Sequence, residues 1–402
     1  MKGLVIAPQP FFTYRGTPFS VYYRAMVMAE LENELDLLTY GEGYDIDIPN
    51  VRVIRVPRIR CLGETKVGPS WPKFLYDIFL FFRMLGLLLR NRYDYVHAHE
   101  EAAIIAAIMK PVFRYPLIYD MHSSLPEQLT NFSFSKSRLL KRIMYVLERF
   151  TLNTADVVVT VCPSLFNYAN NIMSSEEESV LIENSLNSPL ELKSMDKTPG
   201  PPSRAEIDDL RLPEGKRLIV YAGTLEVYQG IELLLEGFGL VCHEDDTADL
   251  LVIGGNEEQV AHYRSIAQGL GILDRCKFTG YVRQDLATRC IEMATVVVSP
   301  RTRGTNTPLK IYQQLASGVP IVATNIESHT QVLTDDIAYL VDPNPTDFAA
   351  AILSVLNDPS KATLIAENAM RHHSENYSRP IYVEKIKRVL DMVERLSQKK
   401  KR

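Results

Sequence analysis

The stretch Ser299–Thr324, SPRTRGTNTPLKIYQQLASGVPIVAT, decides how the rest of the chain is read. It runs from the end of an apolar strand through a polar loop into a short helix, and then into a second apolar strand, Pro320–Ala323. Strands joined through a helix in this way belong to a parallel sheet. The loop carries threonines, an asparagine and two arginines, but no carboxylate. It offers hydroxyls, an amide, backbone N–H groups and cations to an anionic, hydroxylated ligand.

Working outward, the same alternation fills the second half of the chain. Short apolar runs recur at Leu218–Ala222, Leu250–Gly254, Lys277–Gly280, Thr295–Ser299 and Ala338–Val341, with helical patterns beginning near Gly230, Gln259, Gln284, Leu309 and Thr346. The first half repeats the theme. Its strands are expected at Gly3–Ala7, Asp36–Thr39, Val51–Val56, Tyr95–Ala98, Leu117–Asp120, Val157–Val161 and Val180–Ile182, and its helices at Ser20–Leu31, Phe74–Arg90, Glu101–Met109 and Ser137–Asn153. Between the halves, Asn187–Gly215 is rich in Pro, Ser and charge and reads as a linker. The expected fold is α/β: two Rossmann-like doubly wound parallel-sheet domains facing a cleft. The expected boundaries are 1–186, a linker 187–215, a second domain 216–375, and a final helical segment 376–402.

Composition bounds the classes of function. With 402 residues, 46% hydrophobic and 23% charged, the chain has room for two ordinary domains. A net charge of −5 argues against nucleic acid as a partner. The cysteines, Cys61, Cys162, Cys242, Cys276 and Cys290, form no C-x-x-C pair, which fits a reducing, cytoplasmic setting without a disulfide framework or zinc site. The opening MKGLVIAPQPFF is broken by Pro8 and Pro10 and reads as a buried strand, not a signal peptide. Phe74–Leu89 is short for a membrane span and carries Asp77 and Arg83, so it reads as a core helix, with a membrane-surface helix as the alternative. Ser133–Phe150 combines Lys136, Arg138, Lys141, Arg142 and Arg149 with a broad apolar stripe; it suits either a solvated surface helix or an anionic membrane surface. The basic end, Lys399–Arg402, is open to the same two readings.

Several common catalytic signatures are absent. No G-x-G-x-x-G follows the first strand, and no Walker A or G-x-S-x-G sequence occurs. What remains is a set of strand-end loops. Gly16 lies in YRGTPFS ahead of a helix. YAGTLEVYQG presents Gly223, Thr224 and Gln229. LLVIGG ends at Gly254 and Gly255, and FTGYV places Gly280 and Tyr281 after a strand. The opening loop adds Thr305, Asn306, Thr307, Pro308, Leu309, Lys310 and, one helical turn on, Gln313.

The order of these loops resembles the family 4 (group 1) glycosyltransferases of the GT-B fold over nearly the whole chain. That family's G-R-L…K-G, I-x-G-x-G, F-x-G and E-A-M/L-A-x-G-x-P-V-V segments correspond to Gly223-Thr224-Leu225…Gln229-Gly230, Ile253-Gly254-Gly255, Phe278-Thr279-Gly280 and Gln313-Gln314-Leu315-Ala316-Ser317-Gly318-Val319-Pro320-Ile321-Val322. Gly16 resembles the glycine of the family's first loop, His122 a functional histidine after a strand, and Asn184 the asparagine of its I-x-N-G segment. The resemblance implies a retaining, metal-independent hexosyltransferase with no obligatory cofactor. It implies a nucleotide-sugar donor, most often a UDP-sugar, and a glycan or lipid-linked acceptor in cell-surface polysaccharide synthesis.

The departures from the family pattern are specific. Its diphosphate-binding Arg and Lys become Thr224 and Gln229, and the two glutamates of its E-x7-E motif become Thr305 and Gln313. In one reading the positive charge has moved to Lys310, Arg301 or Arg303, and the neutral side chains bond sugar hydroxyls. In the other the chain is a non-catalytic nucleotide-sugar sensor or assembly partner. The segments G-T-L-E-x-Y-Q-G and G-T-N-T-P-L-K resemble those of a bacterial variant subgroup, which favours the first reading. His122 and Lys310 are the catalytic candidates, and Glu127 is a candidate for holding an acceptor hydroxyl. His97, His99 and Glu100 cluster in sequence, but no third metal ligand at suitable spacing is visible, so no metal site is expected.

Overall fold

A computed structural model of the chain describes residues 1–12, 16–58, 71–126, 137–173, 179–185 and 215–401. Its described residues divide into two compact units, one for each sheet. The expected linker 187–215 falls almost wholly outside the described residues, as do Glu127 and Cys61.

The first sheet contains β1 (Lys2–Ala7), β2 (Glu34–Thr39), β3 (Val51–Arg55), β4 (Tyr95–His99), β5 (Leu117–Met121), β6 (Val157–Thr160) and β7 (Ser179–Leu181). Every pairing is parallel, in the order β3-β2-β1-β4-β5-β6-β7. Runs such as LVIA in β1 and VVVT in β6 are buried along their length because helices cover both faces of the sheet. Those helices are α1 (Gly16–Glu30), α2 (Trp71–Arg90), α3 (Ala102–Phe113), α4 (Arg138–Thr154) and α5 (Pro163–Asn170).

The second sheet repeats the plan with β8 (Arg217–Ala222), β9 (Ala248–Ile253), β10 (Cys276–Gly280), β11 (Val296–Ser299), β12 (Ile321–Thr324) and β13 (Tyr339–Val341). Its order, β10-β9-β8-β11-β12-β13, is again wholly parallel. The helices are α6 (Ile231–Glu244), α7 (Glu257–Gly269), α8 (Gln284–Glu292), α9 (Leu309–Ala316), α10 (Glu327–Thr330), α11 (Pro345–Asn357) and α12 (Pro359–Asn376). The final helix, α13 (Arg379–Lys401), packs on α1, β6 and β7 of the first unit. There Arg379 pairs with Glu30 at 2.5 Å, and Lys385 pairs with Glu183.

Local chemistry explains where several helices start. Asn256 and Gln259 form a reciprocal capping box at α7, with contacts of 2.8 and 3.1 Å. Asn344 and Asp358 accept the Asp347 and Lys361 N–H groups, and Pro345 and Pro359 follow as first helical residues. Two differences from the sequence reading stand out. Helix α1 begins at Gly16, not at Ser20, so Gly16 is the first residue of the helix instead of a loop glycine ahead of it. Helix α2 buries Tyr76, Leu80 and Met84 but exposes Phe74, Ile78 and Phe82, so only one of its faces is core. Among the described residues, no helix is long and apolar enough to cross a membrane.

Each sheet reverses its strand order once, between β1 and β4 in the first and between β8 and β11 in the second. In open parallel sheets ligands bind beyond the carboxyl ends of the strands at this reversal, where neighbouring loops diverge.

Candidate active site

At the second reversal, the loops after β8 and β11 touch backbone to backbone. Gly230 has φ +74°, and a Cβ there would collide with the Pro300 carbonyl. The Thr302 N–H donates to the Tyr228 carbonyl at 2.9 Å. Gly254, with φ +116°, lies so close to Gly223 that a Cβ would strike the Gly223 carbonyl, and its own N–H donates to the Gly280 carbonyl at 2.8 Å. The loops after β8, β9, β10 and β11 are thereby drawn to one edge, and the predicted glycines Gly223, Gly254, Gly255 and Gly280 lie along it. Tyr281, just beyond Gly280, is largely exposed.

Lys310 stands in the first turn of α9, and its side chain reaches the β8 loop. Its Nζ donates to Gln229 Oε1 at 3.0 Å and sits 4.2 Å from the centre of the Tyr221 ring. It lies 3.6 Å from where a Cβ on Gly223 would be. Gln229 in turn offers its Nε2 to Thr224 Oγ1 at 3.4 Å. Thr224 and Gln229, the two neutral residues in place of the family's cations, are therefore linked in one chain that ends in a lysine. Burial holds the Lys310 ammonium well below the ordinary lysine pKa, and repulsion from Arg301 lowers it further.

Arg301 works differently. Its guanidinium donates to the carbonyls of Arg303 at 2.6 Å and Asn306 at 3.0 Å, and it lies over the Tyr228 ring. It is the peg around which the Arg303–Asn306 turn folds, while Arg303 itself is exposed. The Thr305 carbonyl accepts from Gln331 Nε2 at 2.5 Å, and Gln313 donates to Thr288 Oγ1 at 2.7 Å. Thr307 is buried, and its hydroxyl meets no hydrogen-bond partner among the described residues. Pro308 precedes Leu309, the first residue of α9.

The sequence reading missed His329. It is fully buried beneath this loop, with Nε2 2.9 Å from Ser299 Oγ and Nδ1 2.8 Å from the Thr324 carbonyl. Nδ1–H therefore donates to the carbonyl, and Nε2 accepts from the serine hydroxyl. Burial pushes its pKa down to about 3, with a smaller downward push from Lys310 and Arg301 against the Thr324 bond. A neutral histidine thus ties the ends of β11 and β12 together. Its position in SHT gave no periodic or motif signal.

At the edge of the first sheet, Asp120 is the hub. Arg24 Nε lies 2.6 Å from its Oδ2, His97 Nε2 3.0 Å from the same oxygen, and His122 Nε2 3.2 Å from Oδ1. His99 Nδ1 and His122 Nε2 are 3.1 Å apart. Burial alone would raise the Asp120 carboxyl, but Arg24, His99 and His122 hold it well below the usual range. Burial lowers His97, and lowers His99 further. The third partner that sequence spacing did not show for His97 and His99 is thus Asp120, delivered by the neighbouring strand. Its carboxylate is already matched by Arg24, and a cation there would face that guanidinium, so the cluster does not fit a metal centre. Ser20, one turn into α1, donates to Asn184 Oδ1 at 2.5 Å and ties the start of α1 to the segment after β7.

Glu100 follows β4 directly and adopts φ +50°. Ser123 Oγ lies 3.0 and 3.2 Å from its two carboxyl oxygens. Burial raises this carboxyl to about 7, partly opposed by His122.

Two reversal-point edges on two parallel α/β sheets define a protein of the GT-B class. The family model described as glycosyl transferases group 1 matches residues 203–372, and the glycosyl transferase 4-like domain matches residues 23–184. An uncharacterised glycosyltransferase of Methanocaldococcus jannaschii is 24% identical over 356 residues, 86% of either chain. Sucrose-phosphate synthase from Thermosynechococcus elongatus shares the fold with a TM-score of 0.73 at 17% identity, over 98% of this chain and 99% of that one. The Anabaena protein HepE, solved with UDP-glucose, does so with a TM-score of 0.67 at 16% identity, over 99% and 100%. The chain belongs to the group 1 glycosyltransferases.

Proposed function

We propose that the chain is a retaining hexosyltransferase whose second sheet holds a nucleotide-sugar donor, a UDP-sugar foremost, and whose first sheet serves the acceptor. The observation that carries this is the Thr224–Gln229–Lys310 chain at the second reversal. Lys310 supplies the positive charge that Thr224 and Gln229 lack, beside the N-terminus of α9, where N–H groups favour an anion. A leaving diphosphate needs such stabilisation because its charge develops as the sugar departs. The buried hydroxyl of Thr307 has hydrogen-bonding capacity left for a donor oxygen. HepE, solved with UDP-glucose, supports the choice of base. No metal has a role in this account, since lysine and backbone N–H groups do the work.

The acceptor is a glycan or lipid-linked saccharide, and the enzyme works against an anionic membrane surface in cell-surface polysaccharide synthesis. Helices α2, α3 and α4 pack in sequence and expose Phe74, Phe82, Ile108, Val112, Leu139 and Val146. On α4, Arg138, Lys141, Arg142 and Arg149 are exposed beside them. An apolar face rimmed by cations suits anionic lipid.

Thermal shift and mass spectrometry against UDP-, GDP-, ADP- and dTDP-sugars test the donor half. Binding with slow release of sugar to water is expected. Binding without turnover, with membrane extract present as acceptor, would favour a sensor instead. The neutral Thr305 and Gln313 are the residues that motivate that second reading.

A further inference from the structure

Residues 293–326 contain no aspartate or glutamate, yet they carry Arg301, Arg303 and Lys310. Arg301 and Lys310 are largely buried, and among the described residues neither meets a carboxylate. Their like charges repel each other. The acids nearby are placed elsewhere. Glu292 pairs with Arg289 at 3.0 Å, and Glu327 is exposed at the start of α10. In the neighbouring loops, Glu226 accepts from Gln259 Nε2 at 3.2 Å, and Asp285 pairs with Arg283 at 2.8 Å. Buried cations left without an anion are costly, so this loop suits a ligand that brings several negative charges.

Arg303 is held differently. The Arg301 guanidinium donates to the carbonyls at both ends of the Arg303–Asn306 turn. It also packs so closely on Gly304, at φ +124°, that a Cβ there would strike it. The turn is thereby fixed, and it leaves the Arg303 side chain exposed, with no ion pair or hydrogen bond to its guanidinium among the described residues. On the same loop, the Thr307 hydroxyl is buried and has no partner among the described residues.

We propose that the sugar of the donor itself carries a carboxylate, so that the group transferred is a hexuronate. This deepens the donor reading of the second sheet and rests on it. Each phosphate of a nucleotide-sugar donor is a diester and carries about one negative charge. Lys310, the N–H groups at the start of α9 and the nearby charge of Arg301 answer that diphosphate. Arg303 is the cation left over, and a uronate carboxylate is the charge that matches it. A guanidinium can take a carboxylate through two parallel N–H bonds. The hydroxyls of Thr305 and Thr307 bond a sugar without repelling its carboxylate, whereas an acid at position 305 would repel it. A neutral hexose leaves Arg303 solvated and gains nothing from a loop without acids.

The test compares matched donors on the full chain by titration calorimetry: UDP-glucuronate against UDP-glucose, and UDP-galacturonate against UDP-galactose. In at least one pair the uronate is expected to bind about tenfold more tightly. Added salt should lower that ratio. Arg303→Gln should bring it to about one, because the charge is lost while a polar side chain stays. Thr305→Glu should turn it in favour of the neutral hexose. Hexoses that bind as tightly as their uronates in both pairs would overturn the proposal and leave the donor reading standing. So would a wild-type preference that survives Arg303→Gln unchanged. Binding of none of the four would overturn the UDP-sugar reading, and the hexuronate with it.

Discussion

Asp120 shows what one residue can do that no local pattern reveals. It is fully buried, yet ionised, because Arg24 reaches it from α1. The pair is separated by much of a domain in sequence, so spacing alone could not join them. Removing one partner of a buried pair strands the other charge and costs about 3–5 kcal/mol. Asp120→Asn is thus expected to lower unfolding stability by roughly that amount in urea titration; a loss under about 1 kcal/mol would mean that Arg24 finds another partner or water. His122 was legible by resemblance, and the structure seats it on the same carboxylate. His97 and His99 stood out as neighbours in sequence, but their shared carboxylate did not, and His329 left no trace, because a buried histidine satisfied by strand-end groups has no periodic signal.

The strands were almost wholly legible, since continuous Val, Ile and Leu runs between helical patterns force a parallel sheet buried on both faces. Helix α12 was not. Its buried stripe is mainly Ala362, Ala366 and Ala369 around Ile365, too weakly apolar to stand out, although Asp358 and Pro359 signal its start. The loops were legible as glycine-bearing strand ends, but not in how they interlock. Gly230 carries that lesson. A side chain there must take φ +74° and displace the Pro300 carbonyl. Gly230→Ala is expected to cost about 1–3 kcal/mol of stability and to weaken donor binding by shifting Gln229 away from Lys310. An unchanged donor affinity by calorimetry would show that the β8 loop is not part of the donor site.

At the scale of the molecule, exposed apolar side chains were legible on two separate helices, α2 and α4, while Ile108 and Val112 on α3 between them carry no sequence signal of exposure. Helix α3 packs against both α2 and α4, and all three expose apolar side chains. A Leu139→Ser, Val146→Ser double variant is expected to lose most of its binding to phosphatidylglycerol-containing vesicles in flotation. Wild-type binding should fall as salt rises. Equal binding to pure phosphatidylcholine would remove the role given to the basic rim.

The central claim is that Lys310 replaces the family's lost cations. Its depressed pKa gives that claim a signature. At neutral pH the unfolded lysine is charged while the folded site resists charge. Folding therefore carries a penalty that is present below the ordinary lysine pKa and fades as pH rises toward it. An arriving diphosphate reverses the preference, and the Lys310 amine takes up a proton from solvent. Lys310→Met should therefore leave the protein as stable as before, or more so, while weakening UDP-sugar binding about 10- to 100-fold. Titration calorimetry of wild type and Lys310→Met with the preferred UDP-sugar, in two buffers of different ionisation enthalpy, measures both effects. The account expects proton uptake by the wild type and weak, proton-silent binding by the variant. Equal affinity in the two proteins would contradict it.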